Sequence, residues 1–222
     1  MKNLSLIIPA KYEKESLPKV LTELKKYKII TYIILEKNDI ETIRCAKKFR
    51  VKIVYQKGKG YGNALIEGIH KVKTKYFIIF NADGSFNPSE IKKIVNKATS
   101  NNYDMVFASR YENKNSGSED DTLVTFIGNK IFTLIGKIFF SLPISDILYT
   151  YVLCDTKKTK KLKLKNNDFR FCVELPIKAI KKNYKITSIS SYERSRIAGR
   201  KKVNAIKDGF LILISMIRLF FY

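Results

Sequence analysis

Residues 81–85 carry the side chains best suited to chemistry in this sequence. They follow the apolar run 76–80, which predicts a buried strand, and bring the carboxylate of Asp83 and the carboxamide of Asn81 to its end. Ligands of open α/β sheets bind beyond the carboxyl ends of the strands, and divalent cations prefer oxygen ligands, including those of phosphates. Asn, Asp, Gly and Ser also favour surface turns. The segment alone therefore leaves a metal site and a plain turn equally open.

Four polar clusters follow predicted strands, at residues 9–13, 36–39, 58–62 and 81–85. Such clusters should converge on one crevice in a parallel sheet, which favours the functional interpretation of Asp83. The Gly-rich turn 58–62 matches neither a Walker A motif nor a dinucleotide fingerprint. A connection that needs a positive φ remains the alternative for this turn, although Lys57 and Lys59 beside it would suit a phosphate.

The strands and helices that must position these clusters alternate along the chain, which predicts an α/β fold with a mostly parallel sheet. The predicted strands are residues 4–8, ended by Pro9, and residues 29–35, 51–55, 76–80, 105–108, 149–153 and 186–190. The predicted helices are residues 15–27, 39–49, 63–72, 88–98 and 173–182. Residues 112–121 are predicted to form a polar loop. The length of 222 residues predicts one domain.

Composition narrows the class of protein. The chain has 45% hydrophobic residues, enough for a core, and a formal net charge of +23, which predicts an anionic partner. Three scattered cysteines and one histidine show no metal-ligand spacing and no disulfide framework. We expect no signal peptide, because the first strand begins at once, and therefore a reducing, cytoplasmic compartment.

Two segments, 122–142 and 209–222, are strongly apolar. The first is interrupted by polar residues and glycines, and we expect neither to have the length for a comfortable transmembrane span. Both suit helices that lie against a membrane, with dispersed lysines attracted to anionic lipid. Ordinary core helices are the alternative.

Six motifs, in this order, resemble those of glycosyltransferase family 2, most closely its polyprenyl-phosphate sugar synthases, typified by dolichyl-phosphate mannose synthase. They are Pro9-Ala10-Lys11-Tyr12-Glu13, the turn 57–62 with Asn63-Ala64-Leu65, Asn81-Ala82-Asp83-Gly84 with Pro88, Ala108-Ser109-Arg110-Tyr111, Ile144-Ser145-Asp146, and Arg196-Ile197-Ala198-Gly199-Arg200-Lys201-Lys202. The resemblance extends over nearly the whole chain.

The resemblance implies a GT-A, Rossmann-like fold and an inverting transferase. Such an enzyme moves a hexose from a nucleotide-diphosphate sugar, of the GDP-mannose or UDP-glucose type, to a polyprenyl phosphate. Residues 1–121 would bind the nucleotide sugar, and residues 122–222 would form the acceptor side with interfacial helices. Mg²⁺ or Mn²⁺ would stabilise the leaving nucleotide. The protein would sit peripherally on the cytoplasmic face of a membrane, with room for a partner membrane subunit.

The resemblance also implies roles for particular residues. The catalytic residues would be Asp83, Arg110 and Asp146, and the metal ligands Asp83, Asn81 and Ser85. The nucleotide-sugar contacts would be Pro9, Ala10, Tyr12, Glu13, Glu36, Lys59, Gly60, Asn81, Ala82, Asp83, Arg196 and Lys202. The planar fork of Arg110 would suit an acceptor phosphate.

Structural alternatives accompany several of these roles. Glu13 and Asp39 could instead be residues at the starts of helices. Arg110 could form an ion pair on the surface, and Asp146 could cap a turn. The loop 196–202 could be solvated and bind no ligand. Asn81 stands where the family has Asp, which should lower metal affinity, and Glu36 is the nearest substitute for a base-recognising Asp.

Other functions stay open at this point. A saccharide acceptor would need a carboxylate base, either Asp146 or Glu174. A catalytically weakened relative is a second alternative. A basic nucleic-acid-binding protein is disfavoured, because no recognised motif is present, and we expect no nucleic-acid partner.

Overall fold

The computed structural model describes residues 3–199 and 203–221, in which helices cover both faces of a central sheet. The strands are β1 (Leu4–Ala10), β2 (Ile30–Leu35), β3 (Lys52–Tyr55), β4 (Tyr76–Ile79), β5 (Met105–Ser109), β6 (Gly117–Ser118), β7 (Val152–Asp155), β8 (Ile186–Ser190) and β9 (Tyr192–Glu193). The central sheet has the order β3-β2-β1-β4-β7-β5-β8. Only β7 runs antiparallel to its neighbours in this described sheet, so the predicted mostly parallel α/β fold is confirmed.

The helices are α1 (Leu17–Leu24), α2 (Ile40–Ala46), α3 (Tyr61–Lys71), α4 (Ile91–Ser100), α5 (Leu123–Phe140), α6 (Thr156–Lys161), α7 (Phe171–Lys181) and α8 (Ala205–Phe221). Each predicted helix is present, with ends that differ by a few residues. The short, lysine-rich α6 was not predicted. The predicted polar loop at 112–121 contains β6, which pairs with β9 in a small second sheet.

The prediction that Pro9 ends the first strand is wrong, because β1 continues through Pro9 to Ala10. Proline lacks the N–H that a ladder in the middle of a sheet requires. The Phe80 N–H donates to the Ile7 carbonyl at 2.9 Å, so the backbone polar groups of Ile7 point toward β4. The backbone of Pro9, two residues later, faces the same side. Since β4 ends at Ile79, no ladder bond is required of Pro9 there.

The sheet separates two apolar layers. Successive strand residues point to opposite faces, so Ile7 joins one layer, while Leu6 and Ile8 join the other. The first layer includes side chains of α3, α5, α7 and α8, and the second those of α1, α2 and α4. This packing fixes the strand ends, and hence the loops that follow them, on a rigid scaffold.

Helices α5 and α8 pack side by side and leave apolar residues on the surface. The Phe139 and Phe220 rings meet at 5.8 Å, while other apolar side chains of both helices remain exposed. We call the exposed set Ile127, Ile131, Leu134, Ile138, Phe210 and Ile217 the apolar face. Within the described residues, most of each apolar segment of the sequence is helical, in α5 and in α8.

Helix α5 is longer and more continuous than the sequence suggested. A capping box at Thr122 starts it, and Ser141 ends it in the left-handed conformation at φ 55°. Among the described residues, α5 is the one helix that is long and apolar enough to cross a membrane, by length and composition alone. In this structure 22% of it is buried. The expectation that it falls short of spanning length is therefore wrong. Its buried side includes Asn129 and Thr133, which bind the body of the domain.

Candidate functional site

A cavity of about 380 Å³ lies beyond the carboxyl ends of β1, β2, β3 and β4. The sequence-predicted residues that line it are Pro9, Ala10, Glu13, Glu36, Gly60, Asn81, Ala82, Asp83, Arg110 and Arg196. Its lining also includes Lys11, Gln56, Tyr61, Asp120, Asp121, Thr125, Asn129, Glu193 and Val203. All four polar clusters thus contribute to one crevice, through residues 9–11 and 13, residue 36, residue 60 and residues 81–83.

The turn after β4 holds Asp83 in a fixed orientation. Oδ1 of Asp83 accepts hydrogen bonds from the Ser85 backbone N–H at 3.0 Å and the Ser85 hydroxyl at 2.8 Å. The Asn81 amide donates to the same hydroxyl at 3.4 Å. Ser85 is 1% exposed and is not among the described lining residues, so it lies behind Asp83. Ser85 therefore positions the carboxylate in this structure, and Oδ2 is left for a ligand.

A segment from the far end of the chain packs along this turn. The Arg194 N–H donates to the Ser85 carbonyl at 2.9 Å, and the Ile197 N–H donates to the Asp83 carbonyl at 2.8 Å. Gly84 has φ +88°, and a Cβ there would lie 2.5 Å from Cδ1 of Ile197. The turn thus needs glycine for its conformation and for close contact with residues 194–197. This contact brings Arg196 to the cavity.

The Gly-rich turn before α3 is a docking surface for the loop before α7. Gly60 has φ +99°, and a Cβ there would lie 2.2 Å from the Asn167 carbonyl oxygen. The same carbonyl accepts the Asn63 N–H at 3.0 Å. The structural alternative for this turn therefore accounts for its glycines. Lys59 is exposed and is not among the described lining residues.

Gly60→Ala is expected to lower the free energy of unfolding by about 1–3 kcal/mol, because alanine cannot adopt this backbone conformation without strain. Urea denaturation would measure the loss. Gly128→Ala is the control. Gly128 lies in α5, and a Cβ there would have no neighbouring atom within 4 Å. That variant should be neutral or slightly more stable. Equal effects of the two substitutions would contradict the docking role of Gly60.

Arg110 is the centre of a buried ion network. Its Nε and NH2 groups donate to Asp146 at 2.8 and 3.1 Å, and NH1 donates to Glu193 at 3.0 Å. Burial alone would lower the pKa of Arg110, but the charge of Asp146 and the hydrogen bonds to it outweigh burial and raise the pKa. The guanidinium also lies over the Tyr149 ring, 4.7 Å from its centroid. The fork of Arg110 is thus occupied by the protein's own carboxylates.

Asp146 is 0% exposed and is not among the described cavity-lining residues. Besides Arg110, it accepts a hydrogen bond from the Asn129 amide of α5. The structure therefore places Asp146 as an internal anchor between β5 and α5, and we no longer assign it to the acceptor. Arg110 does line the cavity, but we no longer assign its fork to an acceptor phosphate.

Tyr12, like Lys59, is a predicted nucleotide-site residue that is not among the described residues lining the cavity. Tyr12 is 64% exposed with φ 55°, and its N–H donates to Asp39 at 2.6 Å. Asp39 caps α2 by accepting the Thr42 N–H, so its helix-start alternative is confirmed. Glu13 lines the cavity and also accepts the Ser16 hydroxyl at 2.6 Å. Lys202 lies outside the described residues.

The sequence interpretation missed the acidic wall formed by Asp120, Asp121 and Glu193. The first two sit in what read as a polar loop, and pairing of β6 with β9 brings them beside Glu193. Burial raises the pKa of Glu193, partly opposed by the charge of Arg110 and a hydrogen bond from Ser118. A two-residue strand has no periodic signal, so only the density of acidic residues at 119–121 hinted at this wall.

The residues at Asp83 fit a divalent cation that arrives with a phosphate ligand. Within residues 3–199 and 203–221, no group of three or more His, Cys, Asp and Glu side chains could hold a metal by itself. Asp83 offers one carboxylate oxygen, and Asn81 can add a neutral amide oxygen, both of the type that Mg²⁺ and Mn²⁺ accept. Since Mg²⁺ is commonly bound by one or two carboxylates plus substrate phosphates, this small donor set is sufficient for such a complex.

Comparison with known sequences identifies the family. Residues 5–163 match the model of Glycosyl transferase family 2. An uncharacterised protein of Methanocaldococcus jannaschii is 31% identical over 129 residues, which are 56% of this chain and 53% of that protein. The low-salt glycan biosynthesis hexosyltransferase Agl6 of Haloferax volcanii is 28% identical over 94 residues, 42% of this chain and 23% of that protein. The chain thus spans about half the length of the first relative and under a quarter of the second.

Comparison with solved structures identifies the fold. Glucosyl-3-phosphoglycerate synthase from Mycobacterium tuberculosis, solved with UDP, has a TM-score of 0.77 at 11% identity, over 98% of this chain and 80% of that one. The same enzyme with Mn²⁺, UDP and glucosyl-3-phosphoglycerate has a TM-score of 0.73 at 12% identity, over 98% of this chain and 79% of that one. The family match covers well over half of the sequence, and the strand order brings the motif residues to one cavity. The chain therefore belongs to glycosyltransferase family 2 and has the GT-A fold.

Proposed function

We propose that this protein transfers a hexosyl group from a nucleotide-diphosphate sugar to a polyprenyl phosphate at the cytoplasmic face of a membrane. The observation that carries the proposal is the double role of α5. Thr125 and Asn129 of this helix line the cavity, while its other side belongs to the apolar face. A reacting phosphate in the cavity and a lipid chain on the surface would therefore lie on two sides of one helix.

The donor would occupy the strand-end side of the cavity. Pro9, Ala10 and Glu36 lie there with the turn 81–83, at the edge of the sheet where open α/β folds bind their ligands. The Lys11 ammonium binds Glu36 at 2.8 Å and thus orients this carboxylate beside the cavity. A solved structure with the same fold contains UDP, which supports a nucleotide-diphosphate sugar of the GDP-mannose or UDP-glucose type.

Asp83 and Asn81 would hold Mg²⁺ or Mn²⁺ together with oxygens of the donor diphosphate. Such an ion stabilises the negative charge that develops on the leaving nucleotide. Arg196 lies next to Asp83 and adds a second positive charge on this side of the cavity. The Mn²⁺ and UDP in the mycobacterial enzyme support this assignment.

The acceptor would enter from the apolar face. The chain just before α8 also reaches the cavity, because Val203 is a lining residue. Exposed apolar side chains on α5 and α8 are suited to the interface of a bilayer, where amphipathic helices bury one side. The net charge of +23 would add attraction to anionic lipid.

The chemistry needs no general base, because a phosphate monoester is already an anionic nucleophile. Its oxygen would form a bond to the anomeric carbon as the bond from that carbon to the donor diphosphate breaks, with inversion of configuration. A saccharide hydroxyl would instead need a base. Asp146 is enclosed, and Glu174 is 2% exposed and accepts hydrogen bonds from the Lys165 and Asn166 backbone. Neither of these two predicted bases is placed to serve, so a saccharide acceptor would depend on another carboxylate of the cavity, such as Asp120 or Glu193.

A donor and acceptor panel tests the proposal. GDP-mannose and UDP-glucose would each be incubated with polyprenyl phosphate, or with a saccharide acceptor, in the presence of Mg²⁺ or Mn²⁺. The expected result is a glycosylated lipid with one of these donors and no product with the saccharide. Transfer to the saccharide alone would support the alternative, and no product with either donor would refute the proposal.

Replacing Ile131 and Ile138 together by glutamine is expected to weaken binding to anionic phospholipid vesicles at least tenfold, since burial of each side chain contributes roughly 1.5–3 kcal/mol. Both residues are exposed on the apolar face. Vesicle flotation would measure the change. Ile40→Gln is the control, because Ile40 is also exposed but lies on α2. Unchanged vesicle binding by the double variant would exclude this face as the membrane contact.

A further inference from the structure

Arg196 lies between two carboxylates of the cavity. Its Nε and NH2 groups donate to the two oxygens of Asp120 at 3.0 and 2.7 Å, while NH1 lies 3.8 Å from Oδ2 of Asp83. The hydrogen bonds to Asp120, together with the charges of both carboxylates, raise the pKa of Arg196 despite its partial burial. A permanent positive charge therefore stands beside the oxygen that Ser85 leaves available.

The backbone fixes this arrangement. The hydrogen bonds of Arg194 and Ile197 to residues 83–85 tie both sides of Arg196 to the same turn that carries Asp83. The guanidinium reaches Asp83 at a distance too long for a hydrogen bond. Asp120 thus positions Arg196 close to Asp83 without a direct hydrogen bond between Arg196 and Asp83.

We propose that Arg196 competes with the divalent cation for Asp83 and moves to the donor diphosphate when metal and donor bind together. This exchange rests on the proposed function and adds to it an order of binding. Metal alone would bind weakly, because it must approach a carboxylate oxygen that already has a guanidinium 3.8 Å away. Metal with diphosphate would bind well, because the diphosphate offers Arg196 a new bidentate partner.

The charges around Asp83 support this exchange. Asn81 contributes no charge, so Asp83 is the only carboxylate in the turn 81–85. A cation bound at Asp83 would lie near the Arg196 guanidinium, and like charges at such short range repel strongly in a partly enclosed site. The diphosphate would remove this repulsion by adding negative charge between the two cations.

The experiment measures the Mn²⁺ retained by the protein in equilibrium dialysis, without and with inorganic pyrophosphate as the diphosphate probe. A chamber without protein gives the Mn²⁺–pyrophosphate that is free in solution. Arg196→Gln should bind Mn²⁺ alone about tenfold more tightly than wild type, since one nearby like charge is removed. With pyrophosphate present the order should reverse, and the variant should bind the Mn²⁺–pyrophosphate complex several-fold more weakly than wild type. Arg196→Lys, which keeps the charge, should resemble wild type for Mn²⁺ alone.

Arg44→Gln is the matched control, because it removes one positive charge on α2 outside the described cavity lining. The Arg44→Gln variant should bind Mn²⁺ as tightly as wild type. If it gained as much Mn²⁺ affinity as Arg196→Gln, the cause would be the protein's overall charge and not competition for Asp83. No gain in Arg196→Gln without pyrophosphate would overturn the exchange while leaving the proposed function intact. Failure of wild type to bind Mn²⁺ with pyrophosphate at all would instead refute the metal–diphosphate site of the proposed function.

Discussion

Asp83→Ala is expected to reduce glycosyl transfer about a thousandfold, since loss of a metal ligand removes several kcal/mol of transition-state stabilisation. Asp83 is the carboxylate of the turn after β4, lines the cavity and is oriented by two hydrogen bonds from Ser85. Its side chain is partly exposed, so the protein should remain folded. Radiolabelled sugar transfer at saturating donor, together with an unfolding curve, would measure both properties.

Two companion variants separate charge from shape at this site. Asp83→Asn keeps an oxygen for the Ser85 hydrogen bonds but loses the charge, and should be nearly as inactive as the alanine variant. Asn81→Asp adds a second carboxylate and should tighten Mn²⁺ binding. Full activity in Asp83→Ala would show that neither the cation nor the diphosphate depends on this carboxylate, and the assignment of the site would fail.

The strand-end half of the site could be predicted from the sequence because it depends on local patterns. The apolar run before Asn81 identifies a buried strand, and the rule that parallel strands end at one edge then groups residues 9–13, 36 and 81–83. Except for Tyr12, these are the residues that the structure brings together at the cavity. The order of the family motifs then predicts the GT-A fold.

The other half of the site depends on contacts between distant residues, which local patterns do not reveal. Arg196 approaches Asp83 only because residues 194–197 return to the turn 83–85, and Asp120 meets Arg196 only because β6 pairs with β9. The motifs predict that Arg110 and Asp146 lie near the site. They do not predict the bidentate contact between these two residues. A charged residue in a functional motif can therefore serve the fold, and only its partners distinguish the two roles.

The enclosed network also joins α5 to the side of the cavity where Asp83 lies. Asn129 on α5 binds Asp146, Asp146 binds Arg110, and Arg110 binds Glu193 just before the Arg196 segment. Each link is a hydrogen bond to a charged group, which is stronger than a neutral one. The position of α5 is thereby fixed relative to the segment that contacts Asp83.

Asp146→Ala is expected to lower the free energy of unfolding by about 3–5 kcal/mol, because it leaves a buried guanidinium without its main partner. Urea denaturation would measure the loss. Asp168→Ala is the matched control, since Asp168 also binds an arginine, Arg170, through both oxygens but is 34% exposed. Its loss should be about 1 kcal/mol or less, because solvent replaces the lost partner. An Asp146→Ala protein with wild-type stability and no activity would restore Asp146 to the acceptor site. A large loss of stability would establish that this motif residue acts by holding Arg110 and α5 in place.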